Sequence, residues 1–130
     1  MPEIIDLDVL RPKSVIVKLK GNEIDVSFIP TGITFEVDEI VQKLIPYTAE
    51  AIAADKTGKE TREAFDLSIE LCSVFCSHKY PEMDDAWFRD DTSPQQIEAL
   101  ATVISDTLLS SYEAMEGYQK NLKATEQEVN

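Results

Sequence analysis

Two alternating runs, Ser14 to Lys20 and Glu23 to Phe28, constrain this chain more than any other feature. Val15, Val17 and Leu19 alternate with Ser14, Ile16, Lys18 and Lys20, and Ile24, Val26 and Phe28 alternate with Glu23, Asp25 and Ser27. That period of two is the mark of half-buried strands. Gly21-Asn22 stands between the runs, and glycine in the first position predicts a two-residue type II′ turn. The resulting register sets Lys20 opposite Glu23, Leu19 opposite Ile24, Lys18 opposite Asp25, Val17 opposite Val26 and Val15 opposite Phe28. All apolar pairs then share one face, and a one-residue slip would invert every one of them. A lone hairpin is marginally stable in water, so this face must rest on helices.

The rest of the chain supplies them. After Pro30-Thr31-Gly32, Val37, Ile40, Val41, Leu44, Ile45, Thr48 and Ile52 follow helical spacing. Pro46 interrupts this run, which predicts a kink or two short helices with Pro46 opening the second. Asp55-Lys56-Thr57-Gly58 reads as a loop. Thr57 and Glu60 have the form of a capping box before a stripe of Phe65, Ile69, Cys72, Phe75 and Cys76, widened by Leu67, Leu71 and Val74. So broad a stripe predicts a central, buried helix ending near His78-Lys79-Tyr80-Pro81. A second box at Ser93-Pro94-Gln95-Gln96 opens a long helix whose apolar face runs through Ile97, Leu100, Ala101, Ile104, Leu108 and Met115. The expected fold class is α+β, mostly helical, with an N-terminal β-hairpin packed on a bundle of three to five helices. Residues 1–13 form an arm, 14–118 a single domain, and 119–130 a frayed or disordered tail. The arm's Ile4, Ile5, Leu7 and Leu10 can dock on the domain or on a neighbour in a homo-oligomer.

At 130 residues the chain has apolar material for one core, and its net charge is −13. Nucleic-acid binding draws its affinity from basic side chains at phosphates, so this charge disfavours nucleic acid and anionic membranes as partners. It keeps a protein soluble or steers it toward a basic partner. No run approaches the ~20 apolar residues of a membrane span, and the N-terminus lacks the basic start of a signal peptide. A cytoplasmic location is the expectation. Cys72 and Cys76, at i, i+4 on one helix face, read as reduced core thiols.

Reactive constellations are sparse. Cys72, Cys76 and His78 fall short of the four ligands of structural zinc. Glu82, Asp84, Asp85, Asp90 and Asp91 lack the order of acids and the glycine of a calcium loop, and read as an exposed acidic loop. Neither a nucleophile elbow, a P-loop nor a dinucleotide fingerprint occurs. We therefore expect no enzyme, no cofactor and no metal, and a protein that works through its surface. Trp87 and Phe88, adjacent rings among acids, are the strongest contact candidates; Trp87 reads as a plug pinning the linker, and Phe88, if exposed, as a contact residue. Ile16, Leu109 and Tyr112 complete the candidate partner-binding set.

The order of hairpin, a helix opened by Thr34-Phe35-Glu36-Val37, central helix, Trp-containing acidic linker, and a capped helix at Ser93-Pro94-Gln95-Gln96-Ile97 resembles the tail assembly chaperones of long-tailed bacteriophages and prophages. The likeness spans about residues 14–118. It implies a protein that coats the aggregation-prone tape-measure protein during tail assembly, helps recruit tail-tube subunits, acts in the host cytoplasm and is absent from the finished virion. Some of these proteins also occur in a longer, frameshifted form, which a frayed end after Gly117 would suit. The competing readings are an acidic decoy that blocks a nucleic-acid-binding protein and a structural connector that stays in the particle.

Overall fold

The computed structural model describes the backbone of residues 2–129 and the side chains through residue 117. Two short strands, β1 (Ile16–Leu19) and β2 (Asn22–Asp25), form an antiparallel hairpin; five α-helices follow, α1 (Thr34–Leu44), α2 (Ala49–Ala54), α3 (Lys59–Ser77), α4 (Asp85–Asp91) and α5 (Pro94–Val129). The α+β, mostly helical expectation holds. The backbone of 119–130 as far as Val129 belongs to α5, while its side chains, and with them the expectation of a frayed tail, lie outside the described residues. No helix among the described residues is long and apolar enough to cross a membrane.

The hairpin forms where expected, but in a different register. Val17 faces Ile24, Lys18 faces Glu23 and Leu19 faces Asn22, so the turn residues are Lys20 and Gly21 and the pairing is shifted by two. Both have positive φ, 52° and 79°, the signature of a type I′ turn, whose twist matches that of the strands it joins. The shift also changes the hairpin's far end. Val26 donates its N–H to Val15 at 3.0 Å, and the Val15 N–H donates at 2.7 Å to the Ser27 hydroxyl in place of a carbonyl. Phe28 thereby leaves the ladder. Because the slip is an even number, Leu19, Ile24 and Val26 still face inward and are buried, whereas Val15 lies beyond the helices and is exposed.

The core is one cluster shared by the hairpin, α1, α3 and α5, with Met83 and Phe88 sealing its side. Its centre is α3 against α5: Leu71, Cys72, Ile104 and Leu108 are fully enclosed. α1 adds Val37, Ile40 and Val41. Past Leu44 the stripe ends, and Ile45 is exposed. Pro46 does not open the second helix. It sits in the intervening turn, and the Thr48 hydroxyl caps α2 by accepting from Ala51 N–H, because a turn at 44–48 leaves Thr48 extended and correctly placed for capping. Tyr47, in the same turn, donates its hydroxyl to Glu63 at 2.7 Å and so ties the turn to α3.

The start of α3 also departs from expectation. Gly58, with φ 75°, precedes the helix, and the cap comes from Asp55, whose carboxylate accepts from Glu60 N–H at 2.7 Å. Thr57 serves the loop instead, donating its hydroxyl to Asp55 and accepting from Lys59 N–H. At the other box the expectation holds: Ser93 N–H donates to the Gln96 side chain at 2.9 Å and Gln96 N–H donates to the Ser93 hydroxyl at 3.3 Å, with Pro94 in the first turn of α5. Met115, expected on the buried face of α5, is 57% exposed: the helix's last buried residue among those described is Leu108, and Tyr112 packs only on the core's edge.

Candidate protein-binding surface

The acidic linker is a helix. Asp84 caps α4 by accepting from Trp87 N–H at 2.9 Å, and Arg89 forms ion pairs with Asp85 at 2.6 Å and with Asp66 of α3 at 3.1 Å. Asp84 and Asp85 at the start of the helix suit its dipole, whereas Asp90 and Asp91 at its end do not, so only the first part of the acidic run supports this element. Trp87 and Phe88 are neighbours on this helix, about 100° apart around its axis, so only one can point straight into the core. It is Phe88, at 1% exposure; Trp87 is half-buried and meets the Phe88 ring edge-on. Trp87 packs against the edge of the core, as expected of a plug, whereas the exposure on which a contact role for Phe88 depended is absent. Phe88 has no exposed ring to offer a partner, and Trp87 presents part of its ring at the rim.

The other sequence candidates lie apart from this helix. Ile16 is 51% exposed on the outer face of β1, Leu109 is 40% exposed on α5, and Tyr112 is half-buried beside α1, where partial burial and the Asp38 carboxylate raise its phenol pKa. The structure does not bring the five together into one patch around Trp87.

What it does assemble lies at the N-terminal end. Residues before the hairpin form an arm that includes a 3-10 turn, Leu7–Leu10, capped by the Asp6 carboxylate. Ile4, Ile5, Leu7, Val9 and Leu10 all stand in solvent, Ile4 at 87% and Ile5 at 72% exposure. The arm is anchored at its base by Arg11, whose guanidinium lies 5.1 Å from the centre of the Phe28 ring, a cation–π contact. Phe28, freed from the ladder, forms one wall of an open cavity of about 270 Å³ between the hairpin and the end of α3, lined also by Ile24, Pro30, Phe75, His78 and Tyr80. Tyr80 fixes that geometry by donating its hydroxyl to the Glu23 carbonyl at 2.8 Å. Asp25 and Lys79 also line the cavity; the Asp25 carboxylate is already engaged, accepting from the Ser27 hydroxyl and from Ser27 N–H, bonds that lower its pKa. The groove thus offers mainly apolar wall and aromatic edge, which suits an apolar side chain from another protein.

Sequence reasoning missed this groove because Phe28 looked like a strand residue and Tyr80 like a helix terminus. One signal was available. Ser27 within an otherwise apolar strand end hints that the ladder stops there.

Elsewhere the thiols are as expected: Cys72 and Cys76 are buried and unbridged, Cys72 lies 3.8 Å from the Ile97 carbonyl, and burial pushes the Cys76 pKa up to about 12. Among the described residues no group of three or more His, Cys, Asp or Glu stands in metal-binding geometry. No family model, curated protein or solved structure matches the chain.

Proposed function

We infer that this chain is a protein-binding assembly chaperone of the phage-tail kind, holding apolar segments of a long tape-measure protein during tail construction and meeting tail-tube subunits. The observation that carries this reading is the apolar groove walled by Phe28, Phe75 and Tyr80 beside an arm that exposes five large aliphatic side chains, all on a chain of net charge −13. An amphipathic helix gains affinity by laying apolar side chains into such a groove, and strong like charge keeps the loaded complex from aggregating. Such a protein acts in the host cytoplasm and leaves before the particle is complete.

Co-expression tests the reading directly. A candidate tape-measure protein should stay soluble with this chain and aggregate with the Phe28→Asp variant, which puts a charge into the groove wall. The complex should survive high salt, because apolar burial is little screened. A tape-measure protein equally soluble with and without this chain, or a complex that dissolves steeply with salt as an acidic decoy's would, overturns it.

A further inference from the structure

The hairpin leaves one edge open. The Val26-to-Val15 bond makes Val15/Val26, Val17/Ile24 and Leu19/Asn22 the hydrogen-bonded pairs, so the backbone groups of Ile16 and Lys18 point outward from β1 and those of Glu23 and Asp25 outward from β2. On the β2 edge the Glu23 carbonyl is taken by Tyr80. On the β1 edge no backbone or side-chain partner for Ile16 or Lys18 is found among the described residues. Such a row is a template for another strand. Directly below it, between β1 and α5, lies a recess of about 150 Å³ lined by Val17, Leu19, Gln96, Ala99, Leu100 and Val103.

We propose that residues 3–6 of a second copy of this chain add as a third strand along the β1 edge, the two copies exchanging arms reciprocally. Glu3-Ile4-Ile5-Asp6 lacks any helix or sheet pairing of its own, and its two isoleucines are almost wholly exposed. In a strand, Ile4 and Ile5 point to opposite faces, so one enters the apolar recess beside α5 while the other covers the exposed Ile16. Charge selects the same occupant. Residues 14–22 around the edge hold Lys18 and Lys20 and no acid, whereas residues 3–8 of the arm bring Glu3, Asp6 and Asp8 and no base. Its own arm does not fit. A fold-back through the Leu7–Leu10 turn sets Asp6 opposite Arg11 and Glu3 opposite Ser14, short of Ile16, and Arg11 is held over Phe28.

Sedimentation velocity on the full chain tests this. The wild type should form a dimer with rising concentration, less readily at high salt. The arm variant Ile4→Asp/Ile5→Asp and the edge variant Ile16→Pro, which removes an outward N–H together with the exposed isoleucine side chain, should each self-associate at least about tenfold more weakly. Mixed together, those two should form a heterodimer, because one intact arm still meets one intact edge. Should Ile16→Pro lower the melting temperature, Ala99→Phe, which fills the recess from an exposed helix position, replaces it with the same expected loss. A wild type that stays monomeric overturns the proposal. So does an arm variant that still dimerises, as edge-to-edge pairing of two β1 strands would allow, or an Ile16→Pro and Ala99→Phe pair that both dimerise normally.

Discussion

The Trp87 ring meets the Phe88 ring edge-on, with centroids 4.9 Å apart and planes at 86°, and of the two only Phe88 is enclosed. Truncating them therefore has unequal consequences. Phe88→Ala should cost about 3–5 kcal/mol and lower the melting temperature sharply, since it removes a ring from a sealed core. Trp87→Ala should cost less, about 1–2 kcal/mol, because part of its ring already lies in solvent. Thermal unfolding followed by circular dichroism measures both, and equal losses would contradict the burial.

The bond between Ser27 and Asp25 predicts a pH dependence. The Ser27 hydroxyl and N–H both donate to the Asp25 carboxylate and hold its pKa below the ordinary 3.8. A carboxyl lowered in the folded state adds stability above its unfolded pKa, and that stability is lost as pH falls through the folded pKa. Ser27→Ala should flatten this acid limb in denaturant titrations between neutral and strongly acidic pH. It should also cost about 1–3 kcal/mol at neutral pH, because the Val15 N–H loses its partner.

Cys76 predicts the opposite limb. Its thiol pKa rises from an ordinary 9.0 to about 12 on burial, so the folded state keeps a proton that the unfolded chain releases. Stability from this group is full below pH 9.0 and is lost as pH climbs toward 12. Cys76→Ala should reduce that alkaline loss. Thiol reagents should modify the native protein only at the rate at which it opens, with Cys72 and Cys76 reacting together on unfolding.

Lys20 holds a positive φ of 52° without glycine's freedom. Lys20→Asn, a residue tolerant of that conformation, should stabilise the hairpin by up to about 1 kcal/mol, and Lys20→Val should destabilise it by more. Denaturant midpoints of the two variants decide the matter.

The hairpin, the central helix and the capped start of α5 were legible because periodicity and capping are local signals. What escaped depends on choices between near-equal local options. Gly21 can serve either position of a two-residue turn, and only the bond from Val15 to Ser27 at the other end shows which register prevails. Thr57 and Asp55 both carry oxygens suited to a cap, and the positive φ of Gly58 places Asp55 over the helix start. Trp87 and Phe88 are indistinguishable in apolar character; their order around α4 decides which one enters the core. The groove was invisible for a further reason, since Phe28, Phe75 and Tyr80 meet only after the hairpin has folded onto α3.

The even-numbered slip at the tip has one more consequence. Pairings two residues apart show the helices the same side chains, so a sister protein with two residues inserted or deleted between Leu19 and Ile24 would keep its interior intact. A slip of the pairing by a single residue would instead rotate Ile24 and Val26 into water.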